Sequence, residues 1–103
     1  MEITEIRDAV GVRVRLRGEL DLAGAPALRE ALRTLRERRE LVLLDLDELS
    51  FIDMSGLRVV MAAAAEASRD GWAFTVTPGS AQVRRLLAVV PLSGQLPRDG
   101  SSR

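Results

Sequence analysis

The chain has 103 residues, 47% of them apolar and 29% charged, with a formal net charge of zero. That is enough for one globular domain with one core, and it speaks against a globally basic nucleic-acid binder or an acidic tail protein. All 15 cationic side chains are arginines, and Lys, His, Cys and Tyr are absent, which excludes a zinc cage, a thiol nucleophile, a Ser–His triad, a Schiff base, a phosphate-loop lysine and any disulfide. The N-terminus, Met1 to Glu5, is acidic and carries no apolar signal core. No stretch reaches the roughly 20 apolar residues that a membrane helix needs. The expectation is a cytoplasmic protein with no membrane insertion, no direct nucleic-acid contact and no cofactor.

Ile3 to Ala9 reads as a weak first strand, with a turn at Gly11. Val12, Val14 and Leu16 then alternate with Arg13, Arg15 and Arg17, the period of a strand with one buried and one wet face. Gly18 to Asp21 should end that strand. Pro26 marks a helix start, because its missing N–H costs nothing in a first turn. Leu28, Ala31, Leu32 and Leu35 give the helix its apolar stripe. Leu41 to Leu46 is short and nearly all apolar, the pattern of a strand covered on both faces. A second helix follows from about Ser55 to Arg69, with Leu57, Val60, Met61 and Ala64 inward and Asp70-Gly71 as its stop. Trp72 to Thr77 is a fourth strand. Ser80 should cap a third helix with the stripe Val83, Leu86, Leu87 and Val90, ended by Pro91. From Ser93, Gly, Pro and Ser dominate.

The expected order is β-β-α-β-α-β-α: an α/β domain over residues 1–92, with a mixed four-stranded sheet and a loose tail over 93–103. The predicted core is Val12, Val14, Leu16, Leu28, Leu32, Leu43, Ile52, Leu57, Val60, Phe74 and Leu86.

Three groups of residues could carry function. Asp53-Met54-Ser55-Gly56 lies between a strand and a helix. By position Ser55 is the helix cap, which is what most serines at helix starts are. A phosphoryl group on it would meet the positive end of the helix and add about −1.5 to −2 charge units beside Asp53. Asp45 and Asp47 flank a strand end at i, i+2 spacing, on one face, and read as a solvated terminus more readily than as a metal site. They also suggest a receiver domain that phosphorylates an aspartate. Such a domain relies on a lysine and begins βαβ, and this chain has neither feature. Arg13, Arg15 and Arg17 read as a solvated strand face, with a docking strip for an acidic partner as the alternative. Nothing resembles a nucleotide-enzyme phosphate loop.

Two segments together resemble the signatures of STAS domains. They are Gly18-Glu19-Leu20-Asp21-Leu22 with Ala25-Pro26-Ala27-Leu28, and Leu46-Asp47-Glu48-Leu49-Ser50-Phe51-Ile52-Asp53-Met54-Ser55-Gly56-Leu57. The resemblance covers about residues 3 to 90. It implies a small mixed sheet with helices mainly on one face. In single-domain members it implies an anti-sigma factor antagonist, which is no enzyme. Such a protein binds a GHKL-type anti-sigma factor serine kinase, is switched off when that kinase phosphorylates the residue matching Ser55, and is reset by a PP2C-type phosphatase. The same match makes Asp21, Asp53, Met54, Ser55 and Gly56 partner-binding residues. Met54 departs from the Ser or Thr common before the phosphoserine, and Gly24 from a common Thr cap. Pro91 to Arg103 departs from the usual final element. The alternative within the family is a STAS interaction subunit of a lipid-trafficking ABC transporter, without a phosphoryl switch.

Overall fold

Alternating apolar residues fold into strands and 3.6-period stripes into helices along the whole described chain. The structure is a computed structural model that describes the backbone of residues 1–88 and the side chains of residues 1–85. Its elements are β1 (Glu2–Arg7), β2 (Val12–Leu20), α1 (Ala25–Glu37), β3 (Val42–Ile52), α2 (Met54–Asp70), β4 (Phe74–Val76) and α3 (Ala81–Ala88). The four strands lie in the order β1-β2-β3-β4. β1 is antiparallel to β2, while β2–β3 and β3–β4 are parallel. The order and the mixed sheet are those expected from the sequence.

The core forms where β2 and β3 meet α1 and α2. Val12, Val14 and Leu16 are buried on one face of β2, with Val42, Leu44 and Leu46 of β3. Leu28, Leu32 and Leu35 close over them from α1. α2 buries a broad face, Leu57, Val59, Val60, Ala63, Ala64 and Ala67, whose small alanines let the helix lie close. Gly71 ends α2 at φ 75°, the left-handed conformation that only glycine adopts freely. Trp72 lies just ahead of β4, stacks on Phe74 at 4.8 Å between ring centroids, and donates its indole N–H to the Glu40 carbonyl at 2.7 Å. Ser80 caps α3 by accepting the Val83 N–H at 3.2 Å, and its own hydroxyl donates to the Leu49 carbonyl at 2.6 Å.

Three expectations need correction. β1 stops at Arg7 because Asp8 turns the chain, its carboxylate accepting the N–H groups of Val10 and Gly11 at 2.7 and 2.9 Å. β2 ends at Leu20, inside the expected stretch of Gly18 to Asp21, after Gly18 takes φ 101°. β3 does not stop near Leu46 but continues to Ile52, with two register shifts against β2. Nor is β3 covered on both faces by helices. Leu43 is only half-buried and leaves the predicted core, because it pairs with Arg13 on the sheet face away from α1 and α2. Val12, Val14, Leu16, Leu28, Leu32, Ile52, Leu57, Val60 and Phe74 are all buried as predicted. The side chains of Leu86 and Leu87, Val90, the boundary at 92 and the tail at 93–103 lie outside the described residues.

The open face is held by ions. Asp45 is only 4% exposed and sits mid-strand rather than at a solvated terminus. It pairs with Arg13 at 2.9 Å and Arg15 at 3.6 Å, and its other oxygen accepts the Asp47 N–H at 2.9 Å. Glu48 pairs with Arg17 at 2.7 Å and Arg15 at 3.7 Å. The arginine row keeps the solvent exposure expected of it, but it is not vacant for an acidic partner, since its counter-charges come from the flanking strands.

The face assignment of α1 is directly testable. Leu32→Ala should lower the free energy of unfolding by about 2–5 kcal/mol, as large-to-small core changes do. Urea denaturation followed by circular dichroism measures this, and an unchanged midpoint would contradict the packing described.

Candidate partner-binding and modification site

Parallel strands bring their following loops to the same end of a sheet, the usual place for function in α/β folds. Leu20 and Ile52 pair as the last residues of β2 and β3, and the Asp53 N–H donates to the Leu20 carbonyl at 3.0 Å. The two signature segments thus meet at one rim.

In the first loop, Asp21 shapes the turn into α1. Its carboxylate accepts the N–H groups of Ala23 and Gly24 at 3.2 and 3.3 Å, and its carbonyl accepts those of Gly24 and Ala25 at 3.0 and 2.9 Å. The N-cap of α1 is Gly24, which offers no side-chain bond. The side chain of Met1 lies over it, close enough that a Cβ on Gly24 would stand 3.1 Å from the Met1 Cε. A cleft of about 380 Å³ opens here between Met1, Ile3, Glu19, Asp21, Gly24 and Ala27.

In the second loop, the cap of α2 is Asp53 and not Ser55. Asp53 is extended, with ψ −177°, and its carboxylate accepts the Gly56 N–H at 3.0 Å while its carbonyl accepts the Leu57 N–H at 2.9 Å. A carboxylate is the better partner for the positive helix end, and its reach to the third residue on starts the helix at Met54. Ser55 is therefore the second helical residue. It is half-buried, free of the capping bond, and lies in the first turn, whose leading N–H groups have no carbonyl partner inside the helix. Met54 precedes it at 48% exposure. Gly56 follows, buried against β2: a Cβ there would stand 2.9 Å from the Leu20 carbonyl oxygen and overlap the Leu20 side chain. Only glycine lets α2 begin this close to the end of β2.

The structure thus gathers Asp21, Asp53, Met54, Ser55 and Gly56 at one rim. Sequence reasoning missed Glu19, Leu22 and Phe51, which lie at the same end. Leu22 is 72% exposed and Phe51 40%. All three stand in the signature segments, but the resemblance gave them no role of their own, and residue type alone does not tell an exposed apolar side chain from a packed one. The signal for the cap was available, because an aspartate three residues before a glycine has the spacing of a cap and its third helical position.

The family model described as "Mlab, STAS domain" matches residues 3–98 of the chain. The chain belongs to the STAS domain family. The match runs past residue 90, where the sequence resemblance was expected to end. No curated protein matches the sequence. Among solved structures, this STAS domain is similar to an anti-sigma factor antagonist from Mycobacterium paratuberculosis, with TM-score 0.79 and 22% identity, covering 98% of this chain and 86% of that one. It is also similar to the Bacillus cell fate determinant SpoIIAA in its phosphorylated form, with TM-score 0.71 and 20% identity over 95% of this chain and 91% of that one. SpoIIAA in its unphosphorylated form gives TM-score 0.71 at 20% identity, over 97% and 90% of the two chains. At these identities the likeness is one of fold.

Three substitutions separate the roles in the second loop. Asp53→Ala should destabilise by about 0.5–2 kcal/mol through loss of the cap. Gly56→Ala should destabilise by about 1–3 kcal/mol through overpacking on Leu20. Ser55→Ala should unfold at nearly the parent midpoint. Thermal and urea melts of the three variants give the ranking, and a Ser55→Ala loss as large as that of Asp53→Ala would contradict the cap assignment.

Proposed function

We propose that the protein is an anti-sigma factor antagonist, switched off by phosphorylation of Ser55. The observation that carries this reading is the setting of Ser55. It is the only hydroxyl in Asp53-Met54-Ser55-Gly56, it is not consumed as the helix cap, and it stands at the rim built by both STAS signatures. The similar structures described as anti-sigma factor antagonists, one of them phosphorylated, support it. In this reading the unmodified protein binds a GHKL-type anti-sigma factor serine kinase and sigma is released. The protein itself catalyses nothing. The kinase moves the γ-phosphoryl group of ATP to the Ser55 Oγ, the hydroxyl loses its proton, and ADP departs. A PP2C-type phosphatase removes the group by hydrolysis. Both steps take place in the cytoplasm.

The physics of the switch follows from the geometry. A phosphate on Ser55 sits in the first turn of α2, at the positive end of the helix, so the fold tolerates it. Binding is different, because the dianion joins Asp53 and Asp21 on a surface that loses water on association. Burying an unpaired charge costs several kcal/mol, and each ~1.4 kcal/mol is tenfold in affinity.

A second reading, a STAS interaction subunit docked on the ATPase of a lipid-trafficking ABC transporter, is compatible with the same STAS family match. Recovery of an ABC ATPase rather than a GHKL kinase from cell extract would support it.

Mass spectrometry after incubation with candidate kinases and ATP should find a single phosphate, on Ser55. Ser55→Ala should bind the kinase without being switched off, and Ser55→Asp should bind at least tenfold more weakly while keeping its circular dichroism spectrum. Equal binding of both variants and the parent in titration calorimetry would sink the switch.

A further inference from the structure

We infer that Leu22 and Met54, with Phe51 at their margin, form an apolar anchor inside an acidic border, and that it fits a partner protein presenting an apolar recess edged by arginine or lysine. The inference rests on the reading of this rim as a protein-binding site. It adds the chemistry of the partner's face.

Exposure is the first observation. Leu22 is 72% exposed, Met54 48% and Phe51 40%. A lone exposed apolar residue is ordinary, but these three lie along the chain at the same end of the sheet. Leu22 and Met54 each stand two residues past the paired strand ends Leu20 and Ile52, and the Asp53–Leu20 hydrogen bond of 3.0 Å ties the two loops together. Phe51 pairs with Glu19 in the last turn of the ladder.

Charge is the second observation, and it selects the occupant. The stretches 18–28 and 45–57 contain Glu19, Asp21, Asp45, Asp47, Glu48 and Asp53, and the first arginines of the two helices, Arg29 and Arg58, stand a full turn in from the rim. Asp45 and Glu48 are neutralised by Arg13, Arg15 and Arg17 on the open sheet face. Among the described ion pairs, Glu19, Asp21, Asp47 and Asp53 take no part. The rim is thus negative around an apolar centre. That combination repels an anionic membrane or another acidic surface, and it attracts a basic protein face. Met54 beside Ser55 also gives the patch a local off-switch, since a phosphate at Ser55 puts a dianion at the edge of the area that must be desolvated.

The test uses two synthetic amphipathic helical peptides with the same leucine face, one with arginine and one with glutamate on the polar face. Each is titrated into the isotope-labelled chain and followed by NMR. The arginine peptide should shift Leu22, Phe51 and Met54 saturably, and the glutamate peptide should not. A Leu22→Ser, Met54→Ser double variant, checked for an unchanged fold by its other resonances, should bind the arginine peptide at least tenfold more weakly. Shifts elsewhere, equal binding of both peptides, or no binding of either would overturn the inference. So would shifts at the patch on simple concentration of the chain, which would make a second copy the occupant, or on adding phosphatidylcholine vesicles, which would make it a membrane. The peptides contain no kinase, so failure of phosphorylation at Ser55 and failure of the patch are separate results.

Discussion

The contact on which the site depends is the approach of α2 to the end of β2. Gly56 packs on Leu20 without a Cβ between them, and Asp53 gives its N–H to the Leu20 carbonyl. One contact removes bulk and the other adds a directional bond. Together they clamp two loops that are more than thirty residues apart in sequence. Asp21 and Asp53 then each turn their own chain with side-chain hydrogen bonds, so both loops are stiff before any partner arrives. Stiffness matters to affinity, because a preordered surface loses less conformational freedom on binding.

Much of this was legible in the sequence, for physical reasons. The period-two run from Val12 to Arg17 and the helical stripe from Leu28 to Leu35 each fit one element only. The element order followed, and with it the parallel pairing that brings the two signature segments together. What escaped was of a different kind. Leu41 to Leu46 looked doubly buried because composition cannot tell a strand covered by helices from one covered by arginines reaching across from its neighbour. The run from Asp47 to Ser50 looked like a loop because its polar residues hide a strand that bulges. Ser55 looked like the cap because serine is a good one, and the choice between it and Asp53 turned on where the helix begins, a matter of a single turn.

The open sheet face shows how charge can stand in for a second layer. Asp45 would be expensive to bury alone, yet Arg13 and Arg15 reach it from β2, where Arg13 is also the ladder partner of Leu43. The pairs are partly exposed, so their net contribution is modest. Their stronger effect is on partner choice. A face whose charges are already matched internally offers little to either sign.

The irregular ladder of β3 has one more consequence. From the Val12–Val42 pair to the Leu20–Ile52 pair, β2 advances eight residues while β3 advances ten. The two surplus residues act as a spacer that sets the phase of everything downstream. Deleting one of them would exchange the faces of Phe51 and Ile52, turning an aromatic ring inward and an isoleucine out. It would also draw the Asp53–Gly56 turn out of step with Leu20. The length of this segment is therefore under as strict a constraint as its composition, and homologues that present the same serine should vary in side chains here far more readily than in residue number.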